Sequence, residues 1–264
     1  MALGEVHWKS ELLGRETTLR VLTPEVGAPP YATLYLLHSL NDDSSAWLKK
    51  TQIESLVRGL PLLVVMPDGD RGFYTDNEDG PPYARHIGEE LVDFVDRTYP
   101  SRAERAGRAI GGVSMGGYGA LRVGLGYAER FCSIHSHSGS LDRGVEFKLN
   151  PAERTGIMKH RPDSFILEMR RIFGEQPNGT KHDVLKLAVD AKQQGSLPQL
   201  WIDCGVDDYL ISGTRAFHRE LQAADIPHVY HEFAGAHDWN YVDQHIEAAL
   251  TFHVSNLVVD QNIS

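Results

Sequence analysis

The chain has 264 residues, with 26 Lys and Arg against 36 Asp and Glu, a formal net charge of −10, two cysteines and a 41% hydrophobic fraction. The acidic balance, with no basic stripe, excludes counterion-driven binding to nucleic acid, and the lack of a long apolar run excludes a membrane-spanning helix. Two isolated cysteines, Cys132 and Cys204, make no disulfide framework; with no basic-then-apolar leader, they fit buried free thiols in the cytoplasm.

This length suits one domain over residues 1–264. The chain opens on two runs of alternating polarity, residues 6–13 and 17–23, which predict an antiparallel hairpin at a sheet edge. Strand and helix patterns then alternate. Residues 34–37 and 62–66 are continuous apolar runs of the kind covered on both faces of a parallel sheet, with a helical pattern over 52–60 between them. An amphipathic helix is predicted over 83–99, then a strand over 108–113 and a helix over 117–127. Further strands are expected at 131–138, 199–204 and 229–233, and helices at 213–223 and 241–258. The pattern is that of an α/β fold with a mostly parallel, doubly wound sheet. Residues 142–195, with a helix over 163–173, are too long for a simple connection and predict a small cap insertion.

Where the strand over 108–113 gives way to a helix, the chain reads Gly112-Val113-Ser114-Met115-Gly116. A bare Gly-x-Ser-x-Gly arises by chance in a glycine-rich chain, so the strand-to-helix context carries the weight. Such an elbow holds its serine at positive φ and needs tiny neighbours, which Gly112 and Gly116 supply. It also aims the N–H of Met115 at the place where an oxyanion would develop, so the geometry suits acyl transfer with Ser114 as nucleophile. The second oxyanion donor is expected from the loop after the strand over 34–37, at the N–H of Leu40.

Serine needs a histidine base and an acid to hold that base's tautomer. Of 13 histidines, His237 lies on the loop after the strand over 229–233 and before the last helix, from which it could reach the elbow. The strand over 199–204 delivers Asp207 and Asp208 to the same edge. Pattern alone does not separate the adjacent pair, and Asp238 is a weaker rival. Two other groups predict no site. The acidic stretch 68–80 lacks the ligand spacing of a calcium loop and is expected at the pocket edge, and His135 and His137 have no companion ligands and are expected to be packed or at the rim.

Five blocks in order, YLLHSLNDDSSAWLKKT, VVMPDGDRGFYTD, GGVSMGGYGA, CGVDDYL and HEFAGAHDW, resemble the esterase D, antigen 85 and tributyrin esterase group of α/β-hydrolases. The resemblance implies Ser114 as nucleophile, Asp208 rather than Asp207 as acid, His237 as base, and Leu40 and Met115 as oxyanion donors. It implies a serine carboxylesterase acting through an acyl-enzyme on short acyl or aryl esters, including acetylated or feruloylated carbohydrates. No metal or organic cofactor is required, the partner is a small-molecule ester, and a homo-oligomer stays open. Transfer of the acyl group to a sugar hydroxyl and S-formylglutathione hydrolysis use the same triad and also stay open. So does a binding module of this fold without turnover, because Ser39 stands where the family has glycine and costs the oxyanion loop a glycine's freedom.

Overall fold

The computed structural model describes residues 1–142 and 145–259. Strands β1 (Ala2–Ser10) and β2 (Arg15–Thr23) form the antiparallel hairpin, turning through Gly14 at φ 66°. β2 lies antiparallel to β4 (Leu62–Pro67), and from there the sheet is parallel through β3 (Ala32–Leu37), β5 (Arg108–Val113), β6 (Ser133–His137), β7 (Gln199–Gly205) and β8 (Val229–Phe233). The order is β1-β2-β4-β3-β5-β6-β7-β8.

Every residue of β3, β4, β5 and β6 is buried, which is why residues 34–37 and 62–66 read as continuous apolar runs rather than alternations. Along β3 the side chains divide by the period of two. Tyr35 and Leu37 join one core with residues of α3 (Tyr83–Arg85), its π-helical continuation His86–Leu91, α4 (Val92–Thr98), α5 (Met115–Gly126) and α8 (Ile211–Ala223). Leu34 and Leu36 join the other with α1 (Ala46–Lys50), α2 (Ile53–Val57) and α9 (Trp239–Asn256). Because β4 and β5 are laid on opposite sides of β3, the connections leaving β3 and β5 diverge and open a crevice at the carboxyl ends of these strands.

Two helices depart from the expected pattern. The helix expected over 52–60 is the shorter α2, and α1 ahead of it is not among the predicted elements; Thr51, extended and with its Oγ1 accepting the Ile53 N–H at 3.2 Å, separates the two. Between β6 and β7 stand α6 (Asp163–Phe173), as expected, and α7 (Val184–Gln193), which is not among the predicted elements. Its signal is present in the chain: Asp183 accepts the N–H groups of Leu185 and Lys186 as an N-cap, ahead of an apolar stripe through Val184, Ala188 and Ala191. Among the described residues no helix is long and apolar enough to cross a membrane.

The paired histidines of β6 are packed, as expected, in a polar network under α9. His253 bonds Ser133 Oγ and His135 Nδ1, each at 2.7 Å. Burial pushes His253 down to about 3 and His135 well below an ordinary imidazole, so both are buried neutral. An unfolded histidine binds a proton near pH 6.5, so below that value the unfolded chain holds more protons than the native one. Stability is therefore expected to rise with pH between about 4 and 6.5, by about 1.4 kcal/mol per pH unit for each such histidine. Urea midpoints measured at pH 7 and pH 5 check this. An unchanged midpoint would contradict neutral burial.

Candidate active site

β5 hands the chain to α5 through Ser114 at φ 57° and ψ −115°, a conformation that costs about 1–3 kcal/mol. The surroundings hold it there: the Ser114 N–H donates to His137 O at 2.9 Å, and its carbonyl accepts from Ser140 N at 3.1 Å and Tyr118 N at 3.0 Å. The two flanking glycines are required by backbone contact. A Cβ on Gly112 would stand 2.3 Å from Gly116 O, and one on Gly116 would stand 2.2 Å from Leu37 O.

His237 Nε2 lies 2.9 Å from Ser114 Oγ, and its Nδ1 lies 2.8 Å from Asp208 Oδ2. The other Asp208 oxygen accepts the Leu210 N–H at 2.8 Å. Burial alone would raise the Asp208 carboxyl, but the bonds from His237 and the Leu210 N–H outweigh it and hold the group below the usual carboxylate range. It is therefore ionised wherever an imidazole can act as a base.

The structure separates the rival acids by burial. Asp207 is exposed, with its N–H tied to Gly235 O at 3.0 Å, whereas Asp208 is 2% exposed and directed at the imidazole. Asp238 caps α9 by accepting the Tyr241 N–H at 2.9 Å.

The residue missed in the sequence is Asp203, which lies within the otherwise apolar run of β7. It is fully buried and accepts from Trp201 Nε1 and Tyr241 Oη, each at 2.6 Å, and from His137 Nδ1 at 2.9 Å. Tyr241 follows the His237 loop, and the His137 carbonyl receives the Ser114 N–H, so one carboxylate ties together the segments that carry both ends of the relay. Only partners 38 and 66 residues away reveal this.

Leu40 and Met115 line one cavity with Ser114 and His237. Met115 is the first residue of α5, so its N–H has no acceptor within the helix. The loop carrying Leu40 is clamped from behind. The Gly69 N–H donates to His38 Nε2 at 2.9 Å, which leaves the proton on Nδ1 to bond Ser39 O at 2.8 Å, and Tyr74 Oη donates to His38 O at 3.2 Å. Arg71 adds a strut, with Nε and Nη2 each 2.6 Å from Glu168 of α6 and Nη1 on Asn41 Oδ1.

The glycine freedom expected to be missing at Ser39 is not called on. The left-handed residue in this loop is Asn41 at φ 67°, a type that tolerates it, while Ser39 is not among the positive-φ residues. Ser39→Gly is accordingly expected to change kcat by less than about threefold, with a stability loss of about 0.4–1 kcal/mol from the freer unfolded chain. Steady-state rates and melting curves of the variant check both figures. A gain of tenfold or more would show that Ser39 strains the loop.

The cavity measures about 340 Å³ and is walled by apolar side chains including Phe73, Tyr118, Phe147, Met169 and Phe173. Phe73 comes from the acidic 68–80 stretch, which does reach the pocket edge. Among the described residues no group of three or more His, Cys, Asp or Glu is placed to hold a metal ion.

Residues 10–253 match the family model described as "Putative esterase". An acetyl esterase from Caldicellulosiruptor saccharolyticus is 31% identical over 265 residues, covering 94% of this chain and 97% of that protein. Among solved structures, fluorophosphonate-binding serine hydrolase F of Staphylococcus aureus superposes with a TM-score of 0.81 at 27% identity, covering 96% of this chain and 98% of that one. The S-formylglutathione hydrolase FrmB of the same organism superposes with a TM-score of 0.79 at 27% identity and the same coverage. With a strained serine at the elbow of such a sheet and a family match over nearly its whole length, the chain belongs to the esterase D and antigen 85 group of α/β-hydrolases and is a serine esterase.

Proposed function

We propose that Ser114 attacks the carbonyl carbon of a small acyl ester while His237 Nε2 takes the hydroxyl proton. The tetrahedral oxyanion is met by the Leu40 and Met115 N–H groups, each worth about 3–4 kcal/mol in such a role. His237 then returns the proton to the departing alkoxide, leaving an acyl-enzyme. Water repeats the sequence, giving its proton to His237 and releasing the acid and free Ser114. The observation that carries this reading is the unbroken relay from Ser114 Oγ through His237 to Asp208, at 2.9 and 2.8 Å, opening into one cavity.

The acyl groups we assign are acetyl and aromatic ones such as feruloyl, carried on carbohydrate or simple aryl alcohols. The acetyl esterase relative supports the first, and an aromatic-walled cavity of about 340 Å³, far larger than an acetyl group needs, supports the second. The segment between β6 and β7 serves as the cap, since Phe147, Met169 and Phe173 come from it.

Labelling tests the mechanism. A fluorophosphonate is expected to add once per chain, to map to Ser114 by peptide mass, and to be slowed while saturating p-nitrophenyl acetate is being turned over. An adduct on another serine would overturn the assignment.

A further inference from the structure

The proposed reading places the leaving group on the side of His237, because that imidazole must protonate the departing oxygen. Tyr209 stands on this side, its ring centroid 4.6 Å from that of His237. Beside the Tyr209 hydroxyl lies Arg161, whose guanidinium carbon is 5.1 Å from the centroid of the Phe165 ring. All four residues line the cavity that holds Ser114.

Arg161 differs from the other described arginines around the cap. Arg71 is paired with Glu168, Arg154 with Asp163, Arg170 with Glu175 and Arg171 with Asp79. Arg161 makes no ion pair with a carboxylate among the described residues. The cavity's own acids do not neutralise it: Asp208 is committed to His237, Asp183 caps α7, and Asp142 is raised by burial with no contribution from a cation. In a chain of net charge −10, a cation that lines this cavity, makes no ion pair among the described residues and is steadied by an aromatic ring is a selective feature. A guanidinium presents a planar fork of donors that matches a carboxylate.

We infer that Arg161, with Tyr209, forms a subsite for an anionic group on the leaving portion of the substrate, so that the preferred esters carry a carboxylate on the alcohol side. The inference rests on the proposed reading of Ser114 and His237 and adds a substrate class to it.

The test compares two acetyl esters with nearly equal leaving-group chemistry, 4-acetoxyphenylacetate and its uncharged methyl ester, in the full-length wild type, R161Q and R161K. The wild-type ratio of kcat/KM, anion over neutral, is expected to exceed one and to fall as sodium chloride is raised from 20 to 500 mM. R161Q should lower that ratio about tenfold, the loss expected for one charge-assisted contact, and R161K should keep part of it. Turnover of the neutral ester by the variants shows that they are folded.

Equal ratios in wild type and R161Q would overturn the inference while leaving the esterase reading intact. So would an anion preference confined to the acyl side, read by comparing p-nitrophenyl hemiglutarate with p-nitrophenyl valerate. If the wild type turned over none of these esters, the reading of Ser114 would fail and the subsite with it.

Discussion

Ser114→Ala is expected to lower kcat for p-nitrophenyl acetate by about 10⁶-fold, the scale set by removing the nucleophile of a serine–histidine–acid triad. The variant loses the atom that forms the acyl-enzyme, so the two-step path closes and only direct attack by water remains. Binding and oxyanion contacts survive, and they leave a residual acceleration of about 10³–10⁴ over water. The fold should survive too. The Ser114 backbone contacts to His137, Ser140 and Tyr118 do not involve the hydroxyl, which bonds His237 at 2.9 Å. Melting curves should therefore match the wild type while the rate collapses. A fall of less than tenfold would assign the chemistry to another residue.

Asp208→Asn is expected to lower kcat by about 10⁴-fold with little change in KM, while Asp207→Asn stays within about threefold of wild type. The carboxylate accepts the Nδ1 proton of His237, which leaves Nε2 free to receive the Ser114 proton. An amide can keep the Leu210 bond through its oxygen and turn its NH₂ toward Nδ1. It then selects the tautomer with the proton on Nε2, which cannot act as the base. Raising the pH should not restore the rate, since the fault is the position of a proton rather than its number. Initial rates from pH 6 to 9 for both variants check this. Comparable losses in the two would mean that the buried aspartate is not the one that matters.

Asp207 and Asp208 also show where a one-dimensional reading stops. They are adjacent and chemically identical, and the strand pattern brings both to the same edge of the sheet. Their difference, exposed against 2% exposed, arises because Asp207 N–H is held by Gly235 O while the next residue turns inward under His237. Family resemblance selected Asp208, and the packing of the β8 loop supplies the reason. Asp203 was illegible for the same cause. A single acid in an apolar strand carries no sign of its partners until Trp201, His137 and Tyr241 converge on it.

The Ser39 departure ran the other way. As a letter it replaces a glycine, but the loop takes its left-handed turn two residues later, at Asn41, and the His38 ring clamp holds the segment whichever residue stands at 39. Helix boundaries shifted, as where the helix expected over 52–60 is confined to α2.

The sequence by itself determined the fold class, the hairpin and the elbow, and it pointed to His237 as the candidate base. These depend on short-range rules: apolar runs for strands covered on both faces, helical periodicity, glycines at the two positions where a Cβ would strike backbone, and a histidine on the loop after a late strand. Tertiary structure alone decided which aspartate is buried, how Asp203 ties β6 to α9, and that Arg161 makes no ion pair among the described residues. Those outcomes depend on burial and on contacts such as those between residues 29, 38 and 66 positions apart, and only the packed chain brings such residues together.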